Sequence, residues 1–75
     1  MTDQHVLSAV ERLAGDGYAP SIDVIAELPR RSHGDRRRAI KRAVNRGLLI
    51  ERRAPDGRSH VAIASEGWRA LRDAA

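Results

Sequence analysis

Thirty consecutive residues hold most of the side chains in this sequence that could do chemistry, and that chemistry is the binding of an anion. Residues 29–58 carry eleven basic residues against three acids, Asp35, Glu51 and Asp56. Within them Arg36, Arg37, Arg38, Lys41, Arg42 and Arg46 follow one another with no Asp or Glu before Leu49. All but one of the 14 cationic side chains of the chain are Arg, whose planar fork makes paired hydrogen bonds to phosphate and to the O6/N7 edge of guanine. Arg37 and Lys41, like Arg38 and Arg42, are like-charge pairs at i,i+4, a spacing that costs helix stability. A solvated helix face normally alternates sign, so tolerated repulsion points to a polyanionic partner. A GC-rich genome also enriches Arg, so where the charge sits matters more than its total. Residues 1–28 hold one basic residue, Arg12, and five acids, residues 59–75 balance, and the chain carries a net +4. Such asymmetry implies one polyanion-facing surface and an opposite one of the other sign.

Other chemistries find little support. No nucleophile with a base and an orienting partner can be picked out. His5, His33 and His60 lack the i,i+4 spacing or clustering of metal ligands, and there is no cysteine for a thiolate site or a disulfide. Neither an enzyme, a metal nor a cofactor is therefore expected. No apolar run approaches the roughly 20 residues that span a bilayer. The start, MTDQHVLSAVER, has an early acid and no basic segment, unlike a secretory signal. A cytoplasmic, nucleoid-associated protein with no membrane partner is expected.

The elements that must position the basic residues follow from periodicity and punctuation. The length, 75 residues, suits a single domain across the chain, with a core of Leu, Ile, Val and Ala because Phe is absent. A first helix is expected over about 3–14, capped by Thr2 or Asp3 and closed by Gly15, with Val6, Val10 and Leu13, flanked by Leu7, Ala9 and Ala14, on its apolar face. Tyr18 and Ala19 suit a short strand ended by Pro20. Ser21 suits an N-cap for a helix over 21–28, striped by Ile22, Ile25 and Leu28 with Val24 beside it, and stopped by Pro29. Ser32-His33-Gly34-Asp35 has the spacing of a capping box, although Asp is a weaker fourth residue than Glu or Gln. It opens a helix over 33–46 that Gly47 ends. Strands over 48–53 and 59–64 flank the turn-forming Pro55-Asp56-Gly57 and should pair as a hairpin. Ser65 suits the cap of a last helix over 65–73, with Trp68 and Leu71 inward. Trp68 is expected in the core against the first helix rather than at a dimer interface. The order describes an α+β, mostly α, winged helix-turn-helix: a three-helix core, a β-hairpin wing and a short C-terminal helix.

At 100° per residue, Ala39, Ile40, Ala43 and Val44 share one side of the third helix, and Gly34, Arg37, Arg38, Lys41, Arg42 and Asn45 the other. A second helix of such a motif enters the major groove by its N-terminal part. Ser32, His33, Arg37, Arg38 and Lys41 are therefore the base-edge candidates. Arg30, Arg31, Arg42, Asn45 and Arg46 are the backbone candidates. In the wing, Arg52, Arg53 and Arg58 bracket the tip, where Arg can straddle the backbone or enter a narrow minor groove.

Three segments then resemble the MarR-type winged helix, with PadR-like regulators similar: Asn45-Arg-Gly-Leu-Leu-Ile-Glu-Arg-Arg, Asp56-Gly-Arg58, and Ala62-Ile-Ala-Ser-Glu-Gly-Trp-Arg-Ala-Leu71. The resemblance covers about residues 18–71. It implies transcriptional regulation on double-stranded DNA, with Arg58 as the wing arginine and Arg37, Arg38 and Lys41 on the reading helix. MarR-type proteins are about twice as long and dimerise through extra terminal helices. A homodimer of this chain would have to use its first helix, its last helix or the wing. The alternative is a winged helix that offers the same basic face to an acidic protein.

Overall fold

The computed structural model describes residues 2–73. Its elements are α1 (Asp3–Ala14), β1 (Ala19–Pro20), α2 (Ser21–Glu27), α3 (His33–Asn45), β2 (Leu49–Arg53), β3 (Ser59–Ile63) and α4 (Ser65–Asp73). The three strands form an antiparallel sheet in the order β1-β3-β2, with Glu51 opposite Val61 and Ala19 on its other side.

A small aliphatic core holds these elements together. Val6, Leu7 and Val10 of α1, Val24 of α2, Ala43 of α3 and Val61 of β3 are all fully buried, and Leu49 and Ile63 nearly so. Trp68 packs half-buried against this cluster, in keeping with its expected place in the core. Each fully buried Val or Leu contributes about 1.5–3 kcal/mol, most of which chain entropy offsets.

Two apolar stripes run differently from expectation. In α1 the stripe continues from Val6 and Val10 to Ala14, which packs on the core, and Leu13 is left 40% exposed. In α2 Val24 is the fully buried residue, and the expected Ile25 and Leu28 also pack on the core, Leu28 from just past the helix end. Ile22 lies about 200° around the helix from Val24 and is 67% exposed. The strand expected at Tyr18 and Ala19 is displaced by one residue. Pro20 pairs opposite His60 on the outermost strand, where its missing N–H leaves no ladder bond unmade.

The caps show local chemistry and its limits. Thr2 caps α1, its backbone N–H donating to His5 Nδ1 at 3.0 Å. Ser32 caps α3, its hydroxyl accepting from the Asp35 amide at 3.1 Å. Ser21 does not cap α2: Pro20 takes that position, and the Ser21 hydroxyl turns to Ser59 Oγ at 2.8 Å. Ser65 is likewise the first helical residue of α4, and the Ala64 carbonyl receives the Trp68 amide. At the far end of α3, Leu48 N–H bonds the Ala43 carbonyl and Gly47 N–H that of Val44. This pattern requires the left-handed φ of +77° that Gly47 supplies. It turns the chain sharply from α3 into β2 and so sets the wing beside the helix.

Candidate nucleic-acid interface

The exposed basic face of α3 lies opposite a core side of Ala39, Ile40 and Ala43. These three are buried, whereas Gly34, Arg37, Arg38, Lys41 and Asn45 are exposed. In β2, alternation puts Leu49, Glu51 and Arg53 on the sheet face turned toward α3, and Ile50 and Arg52 on the other. Arg37 and Lys41 thereby meet Arg53 across a groove of about 180 Å³ between α3 and the wing, which Glu51, Ser59 and Ser21 also line. Gly34, Arg37, Arg38 and Lys41 line a second hollow farther up the same helix. The two make one strip from the start of α3 to the wing.

Several expected anion-binding arginines are already partnered within the chain. Arg38 Nη2 bonds Asp35 Oδ1 at 2.6 Å. Arg46 bonds the Asp3 carboxylate, and Arg42 Nε stands 3.9 Å from the same group. The acids missing between Arg36 and Leu49 in sequence are thus supplied from Asp35, one residue before the run, and from the first helical residue of α1. Arg36 is half-buried and donates to the Ile25 carbonyl at 3.3 Å, stitching α3 to α2. Among the described residues, Arg37 and Lys41 have no ion-pair partner. The Arg38 guanidinium, backed by the Ser32 hydroxyl, holds the Asp35 carboxyl below its ordinary value, so this carboxylate stays charged beside the base-edge candidates.

The remaining candidates divide by position. Ser32 and His33 are exposed at the start of α3, but the Ser32 hydroxyl is engaged in capping. Arg30 and Arg31 lie exposed in the α2–α3 link, Arg31 sharing a hollow with Asp35, Arg38 and Arg42. Asn45 is exposed at the last helical position. In the wing, Pro55 and Asp56 form the corner, Gly57 takes a φ of +84°, and Ala54 N–H closes the loop on the Arg58 carbonyl. Arg53 Nη1 donates to the Gly57 carbonyl at 3.1 Å, and Arg58 Nε stands 3.6 Å from Asp56. Arg52 does not join the groove. Its guanidinium lies over the Tyr18 ring, 5.4 Å from the centroid, on the reverse face of the sheet.

Glu51, Ser21 and Ser59 line the groove, and Asp3 partners α3, although none of them is among the residues expected there. Strand alternation from the inward Leu49 carries a signal for Glu51; nothing local carries one for Asp3. No group of three potential metal ligands occurs among the described residues, and none of their helices is long and apolar enough to cross a membrane.

No family model matches the chain, and no curated protein matches it. Solved structures do. The chain is similar to BpsR of Bordetella bronchiseptica, whose DNA binding is regulated by 6-hydroxynicotinic acid, at 20% identity and a TM-score of 0.74 over 95% of this chain and 48% of that one. It is similar to F93 from STIV, a winged-helix DNA-binding protein, at 17% identity and a TM-score of 0.75 over 93% of this chain and 78% of that one. It is also similar to Bacillus subtilis PadR, solved in complex with operator DNA, at 13% identity and a TM-score of 0.74 over 95% and 44%. The chain spans about half the length of BpsR and of PadR. The fold is a winged helix, as the order of elements in the sequence implied.

Proposed function

We propose that the chain binds double-stranded DNA as a transcriptional regulator, with α3 in the major groove and the wing on the sugar–phosphate backbone. The observation that carries this reading is the strip formed by Arg37, Lys41 and Arg53. Three cations from two elements converge on one groove, none of them with a carboxylate partner among the described residues, beside a helix face left exposed by a fold shared with DNA-binding proteins. Arg37 and Lys41 are assigned to base edges, where Arg or Lys pairs with guanine. Ser32 and His33 stand at the entry of the helix, and Arg38 exchanges its Asp35 partner for DNA. Arg53, Arg58, Arg30 and Arg31 serve the backbone, and Asn45 marks the far edge. Arg42 and Arg46, held by Asp3, contribute less than their sequence position suggests. The protein acts as a homodimer, in the cytoplasm where a chromosome is accessible, and needs no cofactor and performs no catalysis.

The test is fluorescence anisotropy of a labelled duplex against salt. With about 6–10 phosphate contacts per dimer, affinity should fall about 10³–10⁵-fold between 50 and 200 mM salt. Arg37→Gln should flatten the preference among sequences, while Arg53→Gln should weaken all duplexes alike. Absence of duplex binding at low salt, with retention of an acidic protein from nuclease-treated lysate, would refute DNA binding and favour the protein-partner alternative.

A further inference from the structure

One ionisable group of the α3–wing groove has no use in the contact proposed above. Glu51 lies on the same sheet face as Arg53 and lines the groove with Arg37 and Lys41. Its Oε2 accepts a hydrogen bond from Ser59 Oγ at 2.8 Å, and Ser59 Oγ in turn receives the Ser21 hydroxyl at 2.8 Å. This chain of hydroxyls runs from α2 through β3 to β2 and tethers the carboxylate. Both donors are neutral, so the tether positions the negative charge without cancelling it. Among the described residues none of the three groove cations comes within ion-pair distance of it. The groove is therefore three cations around one held anion.

We propose that Glu51 is a specificity-determining residue, whose carboxylate keeps DNA phosphate out of the middle of the groove. In a complex without sequence recognition, the backbone settles where cations are densest, because electrostatics alone places it. That position is the groove, and Glu51 opposes it. In a complex registered by base contacts along α3, the edges of the bases decide where the phosphates lie, and the repulsion is smaller. Glu51 thus weakens indiscriminate binding more than selective binding, as a repulsive element can. This inference rests on the DNA-binding reading and deepens it.

The experiment titrates two duplexes with the whole chain across a salt series: one of random sequence and one selected from a randomised library. Glu51→Gln removes the charge and keeps an acceptor for Ser59. It should tighten binding to the random duplex about threefold to tenfold at low salt, with a salt slope steeper by up to about 0.9. The selected duplex should gain less, so the ratio between the two falls. Glu66→Gln makes the same change of net charge on α4, where Glu66 pairs with Arg69 at 3.4 Å. It should leave both affinities within about twofold. Unchanged melting of Glu51→Gln, followed by circular dichroism, checks that the wing stays folded. Unchanged or weakened random-duplex binding by Glu51→Gln overturns the proposal, as does an equal gain from Glu66→Gln. A wild-type chain that binds neither duplex overturns the DNA-binding reading itself.

Discussion

Replacing Gly67 by Ala sets two effects of opposite sign against each other. Gly67 lies in α4 and is buried. On helix propensity alone, Ala should stabilise the helix by about 1 kcal/mol. The packing opposes this. A Cβ at position 67 would stand 2.2 Å from the Leu48 carbonyl oxygen, 2.8 Å from Ile63 Cγ2 and 3.1 Å from Leu7 Cδ2. The first of these atoms is backbone and cannot rotate away. It also accepts the Ala64 amide at 3.0 Å, at the junction of β3 and α4. Displacing it loses a hydrogen bond of about 1 kcal/mol on top of about 1–3 kcal/mol for overpacking a filled site. The net expectation is a loss of about 1–3 kcal/mol. For a domain of this size that lowers Tm by about 4–24 °C. Thermal unfolding of both proteins, followed by circular dichroism at 222 nm, measures it. A Gly67→Ala variant as stable as the parent would refute the reasoning, because propensity would then outweigh a contact far inside van der Waals distance.

The same substitution at Gly34 should have the opposite sign. A Cβ there meets only Arg38 Nη2 at 3.9 Å and Ser32 Oγ at 4.0 Å, so Gly34→Ala should gain about 0.5–1 kcal/mol, read from urea unfolding. Asp3→Asn removes the partner of Arg46 and Arg42. Both arginines are about half exposed, so the loss should be no more than about 1 kcal/mol, and smaller when melts are repeated in 1 M salt. Asp35 carries a pH dependence. Its folded pKa is lowered from 3.8, first by Arg38 and then by Ser32, so its contribution is complete above 3.8 and is lost as pH falls through the lowered value. Asp35→Asn should therefore flatten the acid limb of stability against pH below that point, with no change of slope near neutrality; a change confined to neutral pH would contradict the assignment.

Much of the fold is legible in local sequence because its determinants are local. Ser32 and Asp35 are three residues apart and set the start of α3 whatever packs around it. Gly47 stops the same helix because the left-handed turn there suits a residue without Cβ. The wing corner at Pro55-Asp56-Gly57 is a matter of backbone preference within four residues. The apolar stripes were less legible. Leu13 or Ala14, and Ile22 or Val24, are each compatible with helical spacing, and the choice depends on which neighbour lies opposite.

Sequence by itself determined that a basic helix and a basic hairpin follow one another, because charge and turn chemistry are written in consecutive residues. Only the tertiary structure decided which of those cations stay unpaired. Arg46 and Arg42 are drawn to Asp3, some forty positions away, because α1 packs across α3. Arg52 turns its back on the groove because strand alternation puts it beside Tyr18, while Arg53, one residue on, faces α3 with Glu51. An ion pair depends on distance through space, and neighbours in the chain on opposite sides of a sheet have no say in it.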